Sequence, residues 1–155
     1  MDEHTLQEIL PLAKKGYCCS QILGLLALRA QGRENPELIR AMGALCRGFG
    51  ACGVPGCGAC GIIPGGACVL GLYFRKGQDS ETQLDRADLA EAEYVEWFVD
   101  RATSLCGGST CEEILGEPGG RPNADICGPL LALAWAKLVE IVAACGLDIT
   151  VGRDG

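Results

Sequence analysis

A stretch rich in glycine and cysteine, from Arg47 to Gly71, constrains the fold of this chain more than any other feature. It contains nine glycines together with Cys52, Cys57, Cys60 and Cys68. Glycine destabilises helices and strands because it loses the most conformational freedom on folding. The composition therefore predicts a loop whose main chain bends tightly around reactive cysteine sulfurs or a metal.

Length and composition indicate one ordered globular domain spanning residues 1–155. Hydrophobic residues make up 48% of the chain and charged residues 21%, which is typical of a protein with a packed core. The net charge is −7 and no helix is rich in lysine and arginine, so we expect no nucleic-acid partner. The longest apolar stretch, Leu130 to Cys145, contains Lys137 and Glu140, and we expect no membrane partner either.

The cysteine content and the N-terminus together predict a cytoplasmic protein. There are 11 cysteines, an odd number that cannot all pair internally. The residues after Met1 include neither a basic start nor an apolar run of the kind that directs secretion. Thiols are kept reduced in the cytoplasm. The cysteines are therefore expected to be buried, catalytic or bound to a metal.

Helical periodicity recurs along the whole chain, whereas no alternating strand pattern exceeds four residues. Apolar spacing and capping residues predict helices over about 5–15, 17–30, 36–47, 63–75, 81–105, 109–115 and 125–145. We therefore expect an all-α fold, a compact bundle of six or seven helices around the glycine- and cysteine-rich loop.

Four cysteines lie at the starts of predicted helices, namely Cys19, Cys60, Cys111 and Cys127. The N-terminus of a helix stabilises a thiolate through the helix dipole and its free N–H groups. These thiols are therefore predicted to ionise more readily than the rest. Three further cysteines, which lie within or at the ends of apolar helices, are predicted to be core residues: Cys46, Cys68 and Cys145.

The loop itself offers several kinds of chemistry. Cys52, Cys57 and Cys60 have the spacing C-x4-C-x2-C, which plant-type [2Fe–2S] ferredoxins use together with a distant fourth cysteine. Cys57 and Cys60 also form a C-x-x-C pair that could act as a redox dithiol. A closed all-cysteine zinc site is a further alternative. The simplest alternative is a loop with packed, idle thiols.

Several motifs resemble the C-GCAxxG-C-C family of redox-active proteins over about residues 16–140. They are G-Y-C-C-S-Q-I-L around Cys19, C-G-I-I-P-G-G-A-C-V-L-G-L from Cys60, C-E-E-I-L-G at Cys111 and the single Cys127 before an apolar helix. Ile62 stands where the family motif has alanine. A related helical domain occurs in split-Soret cytochromes, which carry a [2Fe–2S] cluster. The resemblance therefore implies a redox function and an iron–sulfur cluster.

The leading hypothesis is a redox or electron-transfer protein in which four thiols bind an iron–sulfur cluster, [2Fe–2S] by preference. The ligands are Cys19, Cys60, Cys111 and Cys127, with Cys52 and Cys57 in reserve. A redox protein is the expected partner, and a homodimer fits the size and helical class. The second hypothesis is a metal-free dithiol oxidoreductase that uses Cys57 and Cys60, or Cys60 with a distant partner. The third is a structural zinc protein that acts as an accessory module.

Overall fold

A computed structural model describes residues 3–48, 58–116 and 123–153, and within these ranges the protein is all-α, as predicted. The described residues form seven α-helices and one short 3₁₀ turn. The helices are α1 (Glu3–Lys14), α2 (Cys19–Ala30), α3 (Pro36–Met42), α4 (Ile62–Phe74), α5 (Ala87–Cys106), α6 (Cys111–Leu115) and α7 (Ala124–Ala144). The 3₁₀ turn, Gly43–Leu45, follows α3 directly.

Capping residues explain several helix starts. The side chain of Asn35 accepts a hydrogen bond from the main-chain N–H of Leu38, and Pro36 occupies the first position of α3. Asn123 caps α7 in the same way through Asp125. A proline at the first position and a polar N-cap both satisfy or remove main-chain donors that a helix start leaves free. The predicted starts of these two helices are therefore confirmed to within a residue or two.

The start of α5 was predicted wrongly. The periodicity predicted a helix from Glu81, but α5 begins at Ala87. The Glu81 carboxylate instead accepts a hydrogen bond from the main-chain N–H of Gly77, and Arg153 donates to the carbonyl oxygen of Thr82. The side chain of Arg153, which is distant in sequence, thus helps to hold residues 81–86 in a non-helical conformation.

Two glycines at the start of α4 bring three helices close together. A Cβ atom at Gly65 would lie 2.6 Å from the Cα atom of Ser20 in α2, and one at Gly66 would overlap the ring of Tyr94 in α5. Tyr94 is fully buried, and its hydroxyl donates a hydrogen bond of 2.6 Å to the carbonyl oxygen of Ile62. The first turn of α4 is therefore fixed against both neighbours, directly after Cys60.

Helix α7 closes the main core. Among the described residues it is the one helix long and apolar enough to cross a membrane by length and composition, and half of its most apolar window is buried inside the protein. Leu131, Leu138 and Val142 are among its buried residues and belong to the same hydrophobic cluster as α1, α2, α4 and α5. The helix thus serves as a core element of this fold.

Candidate redox centre

The first pair of cysteines joins α2 to α7. Cys19 is the first residue of α2, and Cys127 lies in the first turn of α7, where its main-chain N–H donates to the carbonyl oxygen of Asn123 at 2.8 Å. The thiols of Cys19 and Cys127 hydrogen-bond to each other. Both residues are 8% exposed. Two helix starts that are far apart in the sequence therefore meet at a buried thiol pair.

The second pair is held by a main-chain bridge. Ala59 and Thr110 form an isolated antiparallel bridge. The N–H of Cys60 donates to the carbonyl oxygen of Ser109, and the N–H of Cys111 donates to the carbonyl oxygen of Gly58, each at 3.0 Å. The thiols of Cys60 and Cys111 also hydrogen-bond to each other. Main-chain pairing thus sets the register that brings these two sulfurs together.

A capping box fixes Cys111 at the start of α6. The Thr110 hydroxyl accepts a hydrogen bond from the N–H of Glu113 at 3.1 Å. The Glu113 carboxylate in turn accepts hydrogen bonds from the N–H groups of Ser109 and Thr110. These bonds hold the pKa of Glu113 below its usual range. A capping box satisfies donors that a helix start would leave free, so this short helix begins at a defined residue.

Both thiol pairs line one small cavity, which also touches Arg47, Gly61, Ile114 and Leu115. Its free volume is about 10 Å³, roughly the room that one water molecule needs, about 10–15 Å³. A small organic substrate therefore has no space between the sulfurs. The cavity, named here the thiol cavity, is suited to chemistry of the sulfurs themselves or to an inorganic group that they hold.

Within each pair, one thiol is much more acidic than the other. The hydrogen bond from Cys60 lowers the pKa of Cys111 to about 6, and the hydrogen bond from Cys19 lowers the pKa of Cys127 to about 7. The same hydrogen bonds, together with burial, raise the pKa values of Cys60 and Cys19. Each pair is therefore arranged as one thiolate that accepts a hydrogen bond from one thiol.

Main-chain N–H groups and the charge of Arg47 also favour the thiolate form of Cys111. Its sulfur accepts hydrogen bonds from the main chain at Gly61 and Arg47, and the positive charge of Arg47 also lowers its pKa. Arg47 has a φ of 56° and, among the described residues, is the one non-glycine residue with positive φ. Such a conformation costs a side-chain-bearing residue about 1–2 kcal/mol. The surrounding contacts therefore hold Arg47 in an unfavourable conformation beside the thiol cavity.

A disulfide bond between Cys18 and Cys46 forms another part of the cavity wall. Their Cα atoms are 6.3 Å apart. Cys46 is buried, as predicted for a core residue, but the sequence did not reveal its bond to Cys18. The hydroxyl of the fully buried Ser20 lies 2.8 Å from the Cys46 sulfur and donates to the carbonyl oxygen of Met42 at 2.6 Å.

An outer groove leads from the surface to this region. It has a volume of about 570 Å³ and lies between α1, α2 and the start of α7. Ile9, Ala13 and Leu131 form part of its apolar wall, and Cys18, Cys19 and Cys127 also line it. The outer groove and the thiol cavity therefore share three cysteines, Cys18, Cys19 and Cys127.

The remaining predicted residues have mixed outcomes. Cys52 and Cys57, and with them the C-x4-C-x2-C and C-x-x-C motifs, lie outside the described residues. Cys68 was wrongly predicted to be a core residue: it is exposed, because it lies on the outer face of α4. Cys145 is half-buried and packs against the edge of the core.

No group of three or more histidine, cysteine or acidic side chains in the described ranges is arranged to hold a single metal ion. The four thiols at helix starts instead lie as two separate pairs, Cys19 with Cys127 and Cys60 with Cys111. A tetrahedral zinc site would bring all of its thiolates onto one ion. The described thiols are not gathered around one point in this way, and the zinc alternative stays a prediction.

The fold and the site define an all-α, cysteine-rich redox protein. The chain belongs to the C_GCAxxG_C_C family, whose description is "Putative redox-active protein (C_GCAxxG_C_C)" and which matches residues 17–141. The match covers both thiol pairs and most of the chain, and it confirms the family resemblance seen in the sequence. No curated protein and no solved structure matches the chain.

Proposed function

We propose that this protein is an electron carrier in which Cys19, Cys60, Cys111 and Cys127 hold a [2Fe–2S] cluster. The observation that supports this most is the meeting of four thiols from separate helix starts around one small cavity, two thiols to a pair. A [2Fe–2S] cluster takes four cysteines, two on each iron. The number, softness and pairing of these donors fit such a group.

The electrostatics of the site also fit a metal cluster bound by thiolates. A thiol must lose its proton before it binds a metal. Cys111 and Cys127 have pKa values lowered to about 6 and about 7, so each pair offers one thiolate near neutral pH. Loss of the second proton from each pair would remove the S–H···S hydrogen bonds and let the sulfurs separate. A bound cluster would supply one-electron transfer.

The protein's own residues would tune this centre. The N–H groups at Gly61 and Arg47 donate to the Cys111 sulfur, and hydrogen bonds to ligand sulfur are one of the factors that set cluster potentials. The small volume of the thiol cavity excludes an organic substrate. We therefore propose that the partner is another redox protein. The cytoplasm remains the compartment that we propose from the cysteine content of the sequence.

The test is metal and sulfide analysis of protein purified without oxygen, together with its visible spectrum. We expect about two iron and two acid-labile sulfide per chain, with charge-transfer bands. The Cys60→Ser and Cys127→Ser variants should each lose iron and sulfide. Cys68→Ser is the matched control, because Cys68 is an exposed cysteine outside the thiol cavity, and it should retain both.

The proposal fails if serine at all four positions leaves iron and sulfide unchanged. Zinc near one per chain would instead indicate the structural zinc protein. A protein that contains neither metal, although it was never exposed to air, would favour the metal-free alternative.

The second candidate function is a metal-free dithiol oxidoreductase based on Cys60 and Cys111. The direct hydrogen bond between their thiols and the low pKa of Cys111 favour it. The Cys111 thiolate would attack a substrate disulfide and release one substrate thiolate. Cys60, once deprotonated, would then attack Cys111 and release the second substrate thiolate. The two thiols would lose two protons and two electrons and form one disulfide.

A mass measurement distinguishes the two candidates. Metal-free protein treated with oxidised glutathione should lose the mass of two hydrogen atoms for each new disulfide, and peptide mapping should find Cys60 joined to Cys111. If Cys60 and Cys111 remain unpaired thiols in the metal-free protein after this treatment, the dithiol candidate is excluded.

A further inference from the structure

We propose that the Cys18–Cys46 disulfide is a second redox site, which a small thiol reductant in the outer groove opens by attack on the sulfur of Cys18. This site is distinct from the two thiol pairs. The proposal does not depend on whether those pairs hold a cluster.

The two half-cystines differ in their access to solvent. Cys18 is part-buried and lines both the outer groove and the thiol cavity, whereas Cys46 is 6% exposed and lines the thiol cavity but not the outer groove. A thiolate attacks a disulfide at one sulfur and expels the other. A reductant in the outer groove therefore reaches Cys18, and Cys46 is the leaving group.

The size and charge of the outer groove suit a small thiol. Its volume of about 570 Å³ is within the range of about 300–1,000 Å³ that is typical of small-molecule sites. Lys14 and Asp125 both lie in its lining, so Lys14 can pair with a carboxylate and Asp125 with the amino group of a peptide thiol such as glutathione. A bulky protein thiol has less room here.

The surroundings of Cys46 suit a leaving thiolate. The hydroxyl of Ser20 lies 2.8 Å from its sulfur. In the disulfide state this hydroxyl donates to the carbonyl oxygen of Met42, and a disulfide sulfur is a weak acceptor. A thiolate is a stronger acceptor, so the hydroxyl proton can turn to Cys46 when the bond breaks.

The exchange is balanced without any other reactant. One thiolate of the reductant bonds to the sulfur of Cys18 while the Cys18–Cys46 bond breaks and Cys46 leaves as a thiolate. A second reductant thiolate then attacks the sulfur of the first reductant molecule and releases Cys18. Two reductant thiols become one disulfide, two electrons pass to the protein, and Cys18 and Cys46 each take one proton.

Opening this bond changes the thiol cavity, because Cys18 and Cys46 both line it. The number of thiols around the cavity rises from four to six. Arg47 follows Cys46 in the chain, and its main chain donates a hydrogen bond to Cys111. The second site is therefore linked to the first through a single residue.

The experiment treats the folded full-length protein with reduced glutathione, quenches it with acid at short times and maps the products by mass spectrometry. We expect glutathione on Cys18 and a free thiol at Cys46 at early times, followed by two free thiols. The Cys18→Ser/Cys46→Ser double variant, with the same free cysteines, should give no glutathione adduct that appears and then disappears in this way.

Three results would overturn the proposal. The first is glutathione on Cys46, which places the attack on the wrong sulfur. The second is a bond that stays closed in the folded protein and opens only after denaturation, which makes it a structural crosslink. The third is a protein that forms no Cys18–Cys46 bond with oxidised glutathione.

Discussion

The hydroxyl of Tyr94 donates a hydrogen bond to the carbonyl oxygen of Ile62 at 2.6 Å inside the core. This contact ties α5 to the first residue of α4, two positions after Cys60. The tyrosine ring fills the space that a side chain at Gly66 would occupy. The position of Cys60 in the thiol cavity therefore depends on a glycine in the next helix turn.

We expect Gly66→Ala to destabilise the protein although alanine is the better helix former. The added methyl group would overlap the Tyr94 ring, and overpacking of a core costs about 1–3 kcal/mol. The matched control is Gly71→Ala in the same helix, where a Cβ atom meets only Arg75 at 3.7 Å. This variant should gain about 0.5–1 kcal/mol. Urea unfolding measures both, and equal effects of the same sign would contradict the packing argument.

In metal-free protein, we expect alkylation of Cys111 by iodoacetamide to rise with pH around a midpoint of about 6. Cys60→Ala should move this midpoint upward, because it removes the thiol that hydrogen-bonds to the Cys111 thiolate. The matched control, Cys19→Ala, removes the corresponding donor to Cys127. It should raise the Cys127 midpoint from about 7 and leave Cys111 nearly unchanged.

The same pKa shift has a consequence for stability. Because folding lowers the pKa of Cys111 from 9.0 to about 6, its contribution to stability is present above the unfolded value and decreases as the pH falls through 6. The wild-type protein should therefore lose more stability between pH 7 and pH 5 than Cys60→Ala does. An identical pH dependence of urea unfolding for the two proteins would contradict the shift.

Thr110→Ala should cost about 1 kcal/mol, the usual effect of losing an N-cap side chain. The Thr110 hydroxyl accepts from the N–H of Glu113, so the change also loosens the start of α6 that carries Cys111. We expect faster alkylation of Cys111 in this variant. Thr103→Ala, on the exposed face of α5, is the control and should alter neither the stability nor the alkylation rate appreciably.

Ser20→Ala should have two effects that can be measured separately. The carbonyl oxygen of Met42 would lose its buried donor, which costs about 1–3 kcal/mol. Glutathione should also open the Cys18–Cys46 bond more slowly, because the departing Cys46 thiolate would lack the hydroxyl at 2.8 Å. The exposed Ser104→Ala is the control. A destabilised Ser20→Ala variant that is reduced as fast as wild type would contradict the role of the hydroxyl in the exchange.

The sequence was informative about helices and about the environment of individual cysteines, because capping residues and apolar spacing act locally. Asn35 and Pro36 predicted the start of α3, and the position of Cys111 before an acidic turn predicted a helix-start thiol. The sequence could not predict which thiols pair. The bridge between Ala59 and Thr110 joins segments that are distant in the chain, and no local pattern encodes it.

The lack of a local signal also explains why the sequence did not predict the Cys18–Cys46 bond or the late start of α5. The bond between Cys18 and Cys46 depends on how α2 packs against the turn after α3, where Ser20 reaches the carbonyl oxygen of Met42. The late start of α5 depends on Arg153, which lies almost at the end of the chain. Contacts between distant segments decided both features, and a one-dimensional pattern does not report them.

The pairing of the thiols also determines when the centre can form during synthesis. Each pair combines a cysteine from the first half of the chain with one from the last third: Cys60 with Cys111, and Cys19 with Cys127. A ribosome synthesises Cys19 and Cys60 first, so these thiols remain unpaired until α6 and α7 have been synthesised. Neither pair can form before its second cysteine has been added, and a product truncated before α6 would contain Cys19 and Cys60 but no centre.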